Sequence, residues 1–358
     1  MDSRERTFLA LALQEPDRVP IDFWASRGFL ETLRLRRGQS LEAFLDVYDV
    51  DLRYAAGPRY VGPPLAEGCD LWGVKRRRVE VRTPHGTEFY SEVAHSPLSG
   101  AQSVEEVLAY EGWPSADWFD YTPVATEAGA IREAGRAAVF MGDRLNRIAQ
   151  LKPAMYLRGV EQILVDLALN PDIARAIIGR IRAFYLDYGR RVFEAAGAVL
   201  DIVCTGDDFG SQQGPLLSPA MWADFLGEGF RAYVDLAHQF GLKVMHHTCG
   251  SVRALIPAMV ERGLDVLQSL QPEAAEMDLK AIKTEFGRQL AFQGGISIQR
   301  TLPFGSAEDV RREVRERIET LAPGGGYIIS TAHNVQADAP LENVQTLLAA
   351  CHEFGRYA

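Results

Sequence analysis

The stretch GLKVMHHTCGSVRALIPAMVERGLDVLQS, residues 241–269, decides the fold. It begins with the strand-like segment LKVMHHT and ends with a second strand-like segment, LDVLQS. Between them, SVRALIPAMVERG has apolar residues at three- and four-residue steps, the spacing of an amphipathic helix. This order predicts two parallel strands joined by a helix that packs outside the sheet.

The same alternation extends to both sides of this stretch. Strands are predicted in AAVFMG, VLDIVCTG, QLAFQGG and GGGYIIST, with helical patterns between them, and VPIDFWA is a candidate first strand. The irregular region from about residue 50 to about 100 carries strand-like pieces typical of a hairpin insertion. The number of units predicts an α/β fold, a closed (β/α)8 TIM barrel in which residues 1–358 form a single domain with a hairpin insertion in the N-terminal third.

The composition of the chain is ordinary for a globular protein with a large core. Its 358 residues are 47% hydrophobic, the net charge is −10, and the basic residues are scattered, which argues against a nucleic-acid partner. We expect no membrane partner, because no apolar run reaches transmembrane length, and the polar start MDSRERTFLALALQEP is unlike a signal peptide. Four widely spaced cysteines do not suggest a disulfide framework, so a reducing, cytoplasmic location is expected.

Potential metal ligands follow two of the predicted strands. In a (β/α)8 barrel the chemistry lies at the carboxyl ends of the strands. His247 and Cys249 follow LKVM and are one residue apart, so in extended chain both face one side. Zinc binds imidazole nitrogen and thiolate sulfur. An isolated H-x-C pair of residues can also consist of a structural histidine and a buried cysteine that bind no metal. His333 follows GGGYIIST and could be a third ligand, a general acid, a substrate donor or a residue that holds its loop.

Other polar side chains are expected at the same mouth of the barrel. Asp207 and Asp208 follow VLDIVCTG, and because adjacent residues point to opposite sides, one should face the pocket and the other should hold the loop FGSQQG. We expect Asp207 in the pocket, since it comes first after the strand. Arg27 follows the first strand and could bind an anionic substrate group or be a solvated surface residue. Further candidate substrate-binding residues are Gln212, Gln271 and Asn334.

Three segments of the chain resemble the uroporphyrinogen decarboxylase superfamily, and most closely its zinc-dependent corrinoid methyltransferase branch. They are HHTCGSVRALIPAMVERGLDVLQSLQPEAAEMD, LAFQGGISIQ and GGGYIISTAHNVQADAPLENV. The resemblance implies a (β/α)8 barrel, in agreement with the pattern of strands and helices. It also implies one of two chemistries: cofactor-free decarboxylation of a porphyrinogen, or zinc-dependent methyl transfer to or from a corrinoid protein.

The site residues favour the methyltransferase branch. The decarboxylases carry an arginine-containing loop of the RQAGR type near the first strand, whereas the matching region here, WASRGFLETLRLRRG, places only Arg27 suitably. The methyltransferases carry an H-x-C pair and a later cysteine as zinc ligands. His247 and Cys249 match the pair, and His333 or a near neighbour stands where the later cysteine falls. Histidine also occupies this last position in the decarboxylases, where it serves without metal.

The resemblance therefore implies a methyltransferase that moves a methyl group between a small methylated substrate, such as a methoxylated aromatic, or a thiol, and the cobalamin of a partner corrinoid protein. His247, Cys249 and His333 would bind zinc, and Asp207, Asp208 and His333 would be the catalytic residues. One alternative is a decarboxylase of a tetrapyrrole or a smaller carboxylate, in which an aspartate contacts pyrrole nitrogens and His333 a carboxylate. A second alternative is a barrel that binds a ligand without catalysis.

Overall fold

A computed structural model describes residues 1–142 and 147–357 of the chain. The strands in this part of the chain are β1 (Leu52–Ala55), β2 (Arg59–Tyr60), β3 (Lys75–Arg82), β4 (Thr87–His95), β5 (Phe119–Asp120), β6 (Ala137–Phe140), β7 (Ile202–Gly206), β8 (Lys243–His247), β9 (Val266–Leu270), β10 (Ala291–Ile296) and β11 (Tyr327–Thr331). Within the described residues, a seven-stranded parallel sheet runs in the order β1-β6-β7-β8-β9-β10-β11.

A short segment around Ile21 lies between β11 and β1 and closes this sheet. On one side Asp22 N donates to Ile329 O at 3.0 Å, and Ile329 N donates to Pro20 O at 2.9 Å. On the other side Asp51 N donates to Ile21 O at 2.9 Å. This segment takes the eighth position of the barrel, although it is shorter than the strand predicted in VPIDFWA. The predicted (β/α)8 barrel is thus confirmed, with one of its strands reduced to an isolated bridge.

Helices surround the sheet, as the alternating pattern predicts. They are α1 (Ser3–Leu11), α2 (Arg27–Arg37), α3 (Leu41–Val47), α4 (Val104–Leu108), α5 (Thr122–Glu133), α6 (Leu151–Arg158), α7 (Val160–Leu169), α8 (Pro171–Ala196), α9 (Pro219–Phe225), α10 (Gly227–Gln239), α11 (Ile256–Glu261), α12 (Leu279–Phe286), α13 (Thr301–Phe304), α14 (Ala307–Leu321) and α15 (Leu341–Phe354). Short 3-10 helices span Ala116–Trp118, Gly197–Val199 and Arg253–Leu255. None of the helices in the described residues is both long enough and apolar enough to cross a bilayer.

The longest helix, α8, shows why the outer layer packs as it does. Its residues Ile177, Ile181, Tyr185, Tyr188 and Val192 recur every three or four positions and are all buried. This stripe belongs to one large apolar cluster shared by the sheet and the surrounding helices. Burial of the stripe, more than helix propensity, therefore stabilises α8.

The hairpin insertion predicted in the N-terminal third is also confirmed. Strands β3 and β4 pair in antiparallel fashion, and the hairpin reaches back to the mouth of the barrel. The carboxylate of Glu88 accepts hydrogen bonds from Ser26 Oγ and, at 3.1 Å, from the backbone N–H of Ala337. Thr83 Oγ1 donates to Ala337 O at 2.8 Å. These contacts join the hairpin to the loops that follow the first and last barrel segments.

The barrel interior changes from apolar to polar towards the carboxyl ends of the strands. Its apolar layer consists of Leu52, Val139, Ile202, Met245, Val266, Ala291 and Ile328. Above this layer, Tyr54 Oη and Gln293 Nε2 donate to the same oxygen of Asp22, at 2.8 and 2.6 Å. Burial raises the pKa of the Asp22 carboxyl to about 6. Asp22 is therefore a buried, titratable group in the polar part of the barrel interior.

Candidate metal centre and substrate pocket

A cavity of about 680 Å³ opens at the carboxyl ends of the barrel strands. Its wall is largely aromatic, formed by Trp24, Trp72, Phe89, Tyr90, Tyr156 and Tyr185. Its charged lining residues are Arg27, Glu88, Arg147, Lys152 and Asp208. His247 and His333 lie on the same cavity, which places it where a barrel of this type carries its chemistry.

The three residues singled out as metal ligands converge here. One side-chain donor atom from each of His247, Cys249 and His333 lies within 4.8 Å of the other two. His247 Nε2 is 3.4 Å from Cys249 Sγ. Tetrahedral zinc, with bonds of about 2.3 Å to sulfur and about 2.0–2.1 Å to nitrogen, separates two such atoms by about 3.6 Å. The donor set and its spacing therefore fit a zinc ion with one position open to substrate.

A buried glutamine orients the first of these ligands. His247 and Gln268 face each other across β8 and β9, and His247 Nδ1 is 3.1 Å from Gln268 Oε1. The other end of this amide donates to Met245 Sδ at 3.5 Å. Because Gln268 Oε1 can only accept, His247 Nδ1 carries the proton, and the Nε2 lone pair faces Cys249. This is the tautomer that ligation through Nε2 requires.

Burial sets the protonation of the three candidate ligands. It lowers the pKa of His247 well below its ordinary range and that of His333 to about 4, so both imidazoles are neutral near pH 7. It raises the pKa of the Cys249 thiol to about 12. Neutral imidazole is the metal-binding form, while the thiol needs a nearby cation in order to ionise. Two of the three candidate ligands are thus already in the protonation state that a metal ion binds.

The two adjacent aspartates take roles opposite to those expected. Asp208 lines the cavity, where Lys152 Nζ contacts its carboxylate and His247 Nε2 lies 3.8 Å away. Burial alone would raise the pKa of Asp208, but the charge of Lys152 brings it well below its ordinary value. Asp208 is therefore an ionised carboxylate beside the metal triad.

Asp207 instead points away from the cavity and caps α6. Its carboxylate accepts the backbone N–H groups of Gln150, Leu151 and Lys152 at 2.6, 3.0 and 2.7 Å. The expectation that Asp207 faces the pocket is wrong, and the helix, not the loop FGSQQG, is what the second carboxylate holds. The reason lies in the pleat of β7, along which every second side chain faces the barrel interior. Cys204 is one of the inward-facing residues, so the same alternation reaches Asp208 and not Asp207.

The remaining predicted substrate residues divide into two groups. Arg27 and Asn334 line the cavity, the first at its exposed rim and the second in contact with His333. Gln212 and Gln271 do not line it. Gln271 Nε2 donates to Gln212 Oε1 at 3.1 Å, and Gln271 Oε1 accepts the backbone N–H that follows Cys249, so this pair holds the ligand loop in place.

Several pocket residues were missed by the sequence analysis. Arg147 lies in the loop after β6, Lys152 lies in the first turn of α6, and Trp24 comes from the first barrel segment. The guanidinium carbon of Arg147 lies 5.6 Å from the centre of the Trp24 ring. A Cβ at Gly206 would lie 2.5 Å from Arg147 Cδ, so glycine is needed there for this arginine to enter the pocket. The available signal was position: all three residues follow barrel strands.

Comparisons with known proteins agree with this architecture. Residues 149–354 match the family model described as Uroporphyrinogen decarboxylase (URO-D). A methylated-thiol--coenzyme M methyltransferase of Methanosarcina mazei is 25% identical over 237 residues, which cover 62% of this chain and 60% of the relative. A uroporphyrinogen decarboxylase of Actinobacillus succinogenes is 25% identical over 80 residues, 22% of each protein. The chain thus aligns with less than two thirds of either curated relative.

A solved structure described as a methyltransferase from Methanosarcina mazei superposes over almost the whole chain. The TM-score is 0.69, with 99% of both chains covered and 19% sequence identity. At this level of identity the likeness concerns the fold: the solved structure and this chain share one architecture, including the N-terminal third that lies outside the family match.

Proposed function

The chain belongs to the uroporphyrinogen decarboxylase (URO-D) family, and we propose that within it the protein is a zinc-dependent methyltransferase. It would move a methyl group between a small methylated substrate, such as a methoxylated aromatic, or a thiol, and the cobalamin of a partner corrinoid protein. The observation that carries this proposal is the convergence of His247, Cys249 and His333, of which the two histidines line the substrate cavity. The partial likeness to a Methanosarcina methyltransferase supports the same choice.

Each residue around the triad would have a definite task. Bound zinc supplies a Lewis acid that polarises the methyl-bearing oxygen or sulfur, or stabilises a thiolate acceptor. Gln268 holds His247 in the ligating tautomer. Lys152 pairs with Asp208 at the edge of the triad and would keep that carboxylate ionised beside His247. The aromatic wall excludes water from the reacting atoms.

Decarboxylation is the second candidate, favoured by the family match itself and by the cationic side chains of Arg27, Arg147 and Lys152 on the cavity. It would use a free carboxylate to contact pyrrole nitrogens. Here the carboxylate that faces the cavity, Asp208, is already paired with Lys152. In a cofactor-free decarboxylation His333 could contact a carboxylate, but the pair of His247 and Cys249 would have no task, so methyl transfer accounts for more of the site.

The test is methyl transfer by purified protein under anaerobic conditions. Zinc-loaded protein is incubated with a methoxylated aromatic and cob(I)alamin, and methylcobalamin formation is followed by absorbance. We expect transfer by the wild type and its loss in Cys249→Ala. Cys69→Ala is the matched control, because Cys69 is also a partly buried free cysteine but does not belong to the triad. If neither methylated aromatics nor thiols exchange a methyl group with cobalamin, the proposed function is wrong.

A further inference from the structure

We propose that Arg147 and Trp24 form an anion-binding subsite and that the methyl donor is an aromatic methyl ether carrying a carboxylate. The identity of the transferred group rests on the proposed function. The recognition of negative charge stands on the geometry of the cavity wall.

Within the described part of the chain, the charge balance of the cavity leaves Arg147 without a carboxylate counter-ion. Of the two carboxylates on the wall, Asp208 is paired with Lys152. Glu88 already accepts hydrogen bonds from a serine hydroxyl and two backbone N–H groups. Among the residues that the structure describes, no carboxylate forms an ion pair with Arg147. A guanidinium stays charged at any ordinary pH, and a partly buried charge without a partner is costly, so a ligand that brings an anion would be favoured.

Two buried donors on this wall also lack acceptors. Arg147 Nε and Trp24 Nε1 are both shielded from solvent, and neither has a hydrogen-bond partner among the described residues. A buried donor without an acceptor costs free energy that a ligand can recover. Both unsatisfied atoms are donors, one of them on a cation, and a carboxylate offers two acceptor oxygens. Arginine binds carboxylates through two parallel hydrogen bonds, which gives orientation as well as affinity.

The Trp24 ring lies close to both Arg147 and the metal triad. The Trp24 ring centre lies 5.6 Å from the Arg147 guanidinium, 5.1 Å from the ring of His333 and 5.7 Å from the ring of His247. A ligand that contacts the Trp24 ring would therefore lie within reach of both Arg147 and the triad. The surrounding aromatic wall suits an aromatic body.

The resulting reaction is balanced with a named co-reactant. The carbon–oxygen bond of the ether breaks and its electron pair stays on oxygen, which leaves a phenolate that then takes a proton. The methyl carbon bonds to cobalt using the electron pair of cob(I)alamin, which the partner corrinoid protein supplies. No external oxidant or reductant is needed for this step.

The experiment compares two nearly isosteric probes, 4-methoxybenzoate and the neutral 4-methoxybenzamide, by isothermal titration calorimetry. Zinc-loaded wild-type protein should bind the benzoate about 10- to 100-fold more tightly than the amide, as expected for hydrogen bonds to a charged group. Arg147→Gln should reduce that preference to less than about 3-fold, since it removes the charge. Equal binding of the two probes, or binding of neither, by the wild type would overturn the proposal.

Two further variants make the assignment specific. Arg288→Gln is the matched control: Arg288 is exposed before β10, at the opposite end of the barrel, and its loss changes the net charge equally. The control should keep the full preference for the benzoate. Arg147→Lys keeps the positive charge but lacks the planar guanidinium group, so this variant should keep part of the preference for the benzoate. A preference that survives in Arg147→Gln, or that disappears in Arg288→Gln, would contradict the subsite.

Methyl transfer separates this inference from the proposed function. If 4-methoxybenzamide donates its methyl group to cob(I)alamin as fast as 4-methoxybenzoate does, the anion subsite is wrong and the transferase function stands. If the benzoate binds with the expected dependence on Arg147 but neither methylated aromatics nor thiols exchange a methyl group with cobalamin, the subsite stands and the transferase function is wrong.

Discussion

The side chains of His247 and Gln268 lie opposite each other on neighbouring strands, with His247 Nδ1 3.1 Å from Gln268 Oε1. Both side chains are fully enclosed in the barrel. The strand register thus fixes which imidazole nitrogen is free to bind a metal, since Nδ1 donates to the amide oxygen and Nε2 faces Cys249.

Replacing this amide should weaken metal binding. In Gln268→Leu, His247 loses the acceptor that fixes its tautomer, and zinc affinity should fall about 10- to 100-fold, the usual effect of losing such a partner. Gln268→Glu keeps an acceptor at the same place and should retain more affinity. Chelator competition gives the dissociation constants, and thermal melting of the metal-free proteins controls for folding. Equal zinc affinity in the wild type and Gln268→Leu would contradict this role.

Substitutions of the two aspartates after β7 should have different effects, one on stability and the other on activity. Asp207→Asn loses part of the cap on α6 and should lower the free energy of unfolding by about 1–2 kcal/mol. Asp208→Asn should change stability little, because its ion pair with Lys152 is partly exposed, but it should slow methyl transfer. Urea unfolding and the methylcobalamin assay measure the two effects. Two variants that behave alike in both assays would argue against this division.

Asp22 should make stability depend on pH in a defined window. Its native pKa is about 6, whereas an unfolded aspartate titrates near pH 4. Between these values the native state binds more protons than the unfolded chain, so the Asp22 contribution to stability falls as the pH rises from about 4 to about 6.

Asp22→Asn removes this titration while keeping an oxygen that Tyr54 can donate to. The difference in unfolding free energy between the variant and the wild type should therefore change by about 1–3 kcal/mol across the window, with the wild type losing more stability as the pH rises. Urea unfolding at several pH values measures it. Parallel stability curves for the two proteins would show that Asp22 does not titrate there.

The protein should not convert uroporphyrinogen to coproporphyrinogen at an enzymatic rate. A substrate with eight carboxylates needs more positive charge than Arg27, Arg147 and Lys152 supply, and Asp208 is not free to contact pyrrole nitrogens because Lys152 is paired with it. An anaerobic assay with chromatographic separation of the products decides this. Turnover comparable to that of a uroporphyrinogen decarboxylase run in parallel would contradict the assignment.

Much of the site was accessible from local sequence. The barrel followed from the strand–helix alternation, and the one-residue spacing of His247 and Cys249 at a strand end indicated a shared face. The roles of Asp207 and Asp208 were also encoded locally, in the alternation along VLDIVCTG, but Asp207 was expected in the pocket because it comes first after the strand. The structure shows that the alternation continues to Asp208.

Other parts of the site depend on contacts that no local pattern carries. In the sequence, Gln268 is an ordinary polar residue within a strand. Only the register of β8 and β9 places it opposite His247. Arg147 lies in an aperiodic connection, and its place in the pocket depends on the missing side chain of Gly206, more than fifty positions away. Such pairings are set by the closed sheet as a whole.

X-ray absorption at the zinc edge of protein purified without chelators tests the central claim most directly. We expect about one zinc per chain, coordinated by one sulfur at about 2.3 Å and two imidazole nitrogens at about 2.0–2.1 Å. The sulfur contribution should disappear in Cys249→Ser. Protein that contains no zinc after purification in zinc-supplemented medium, or zinc bound without any sulfur ligand, would contradict the assignment of His247, Cys249 and His333 as the metal centre.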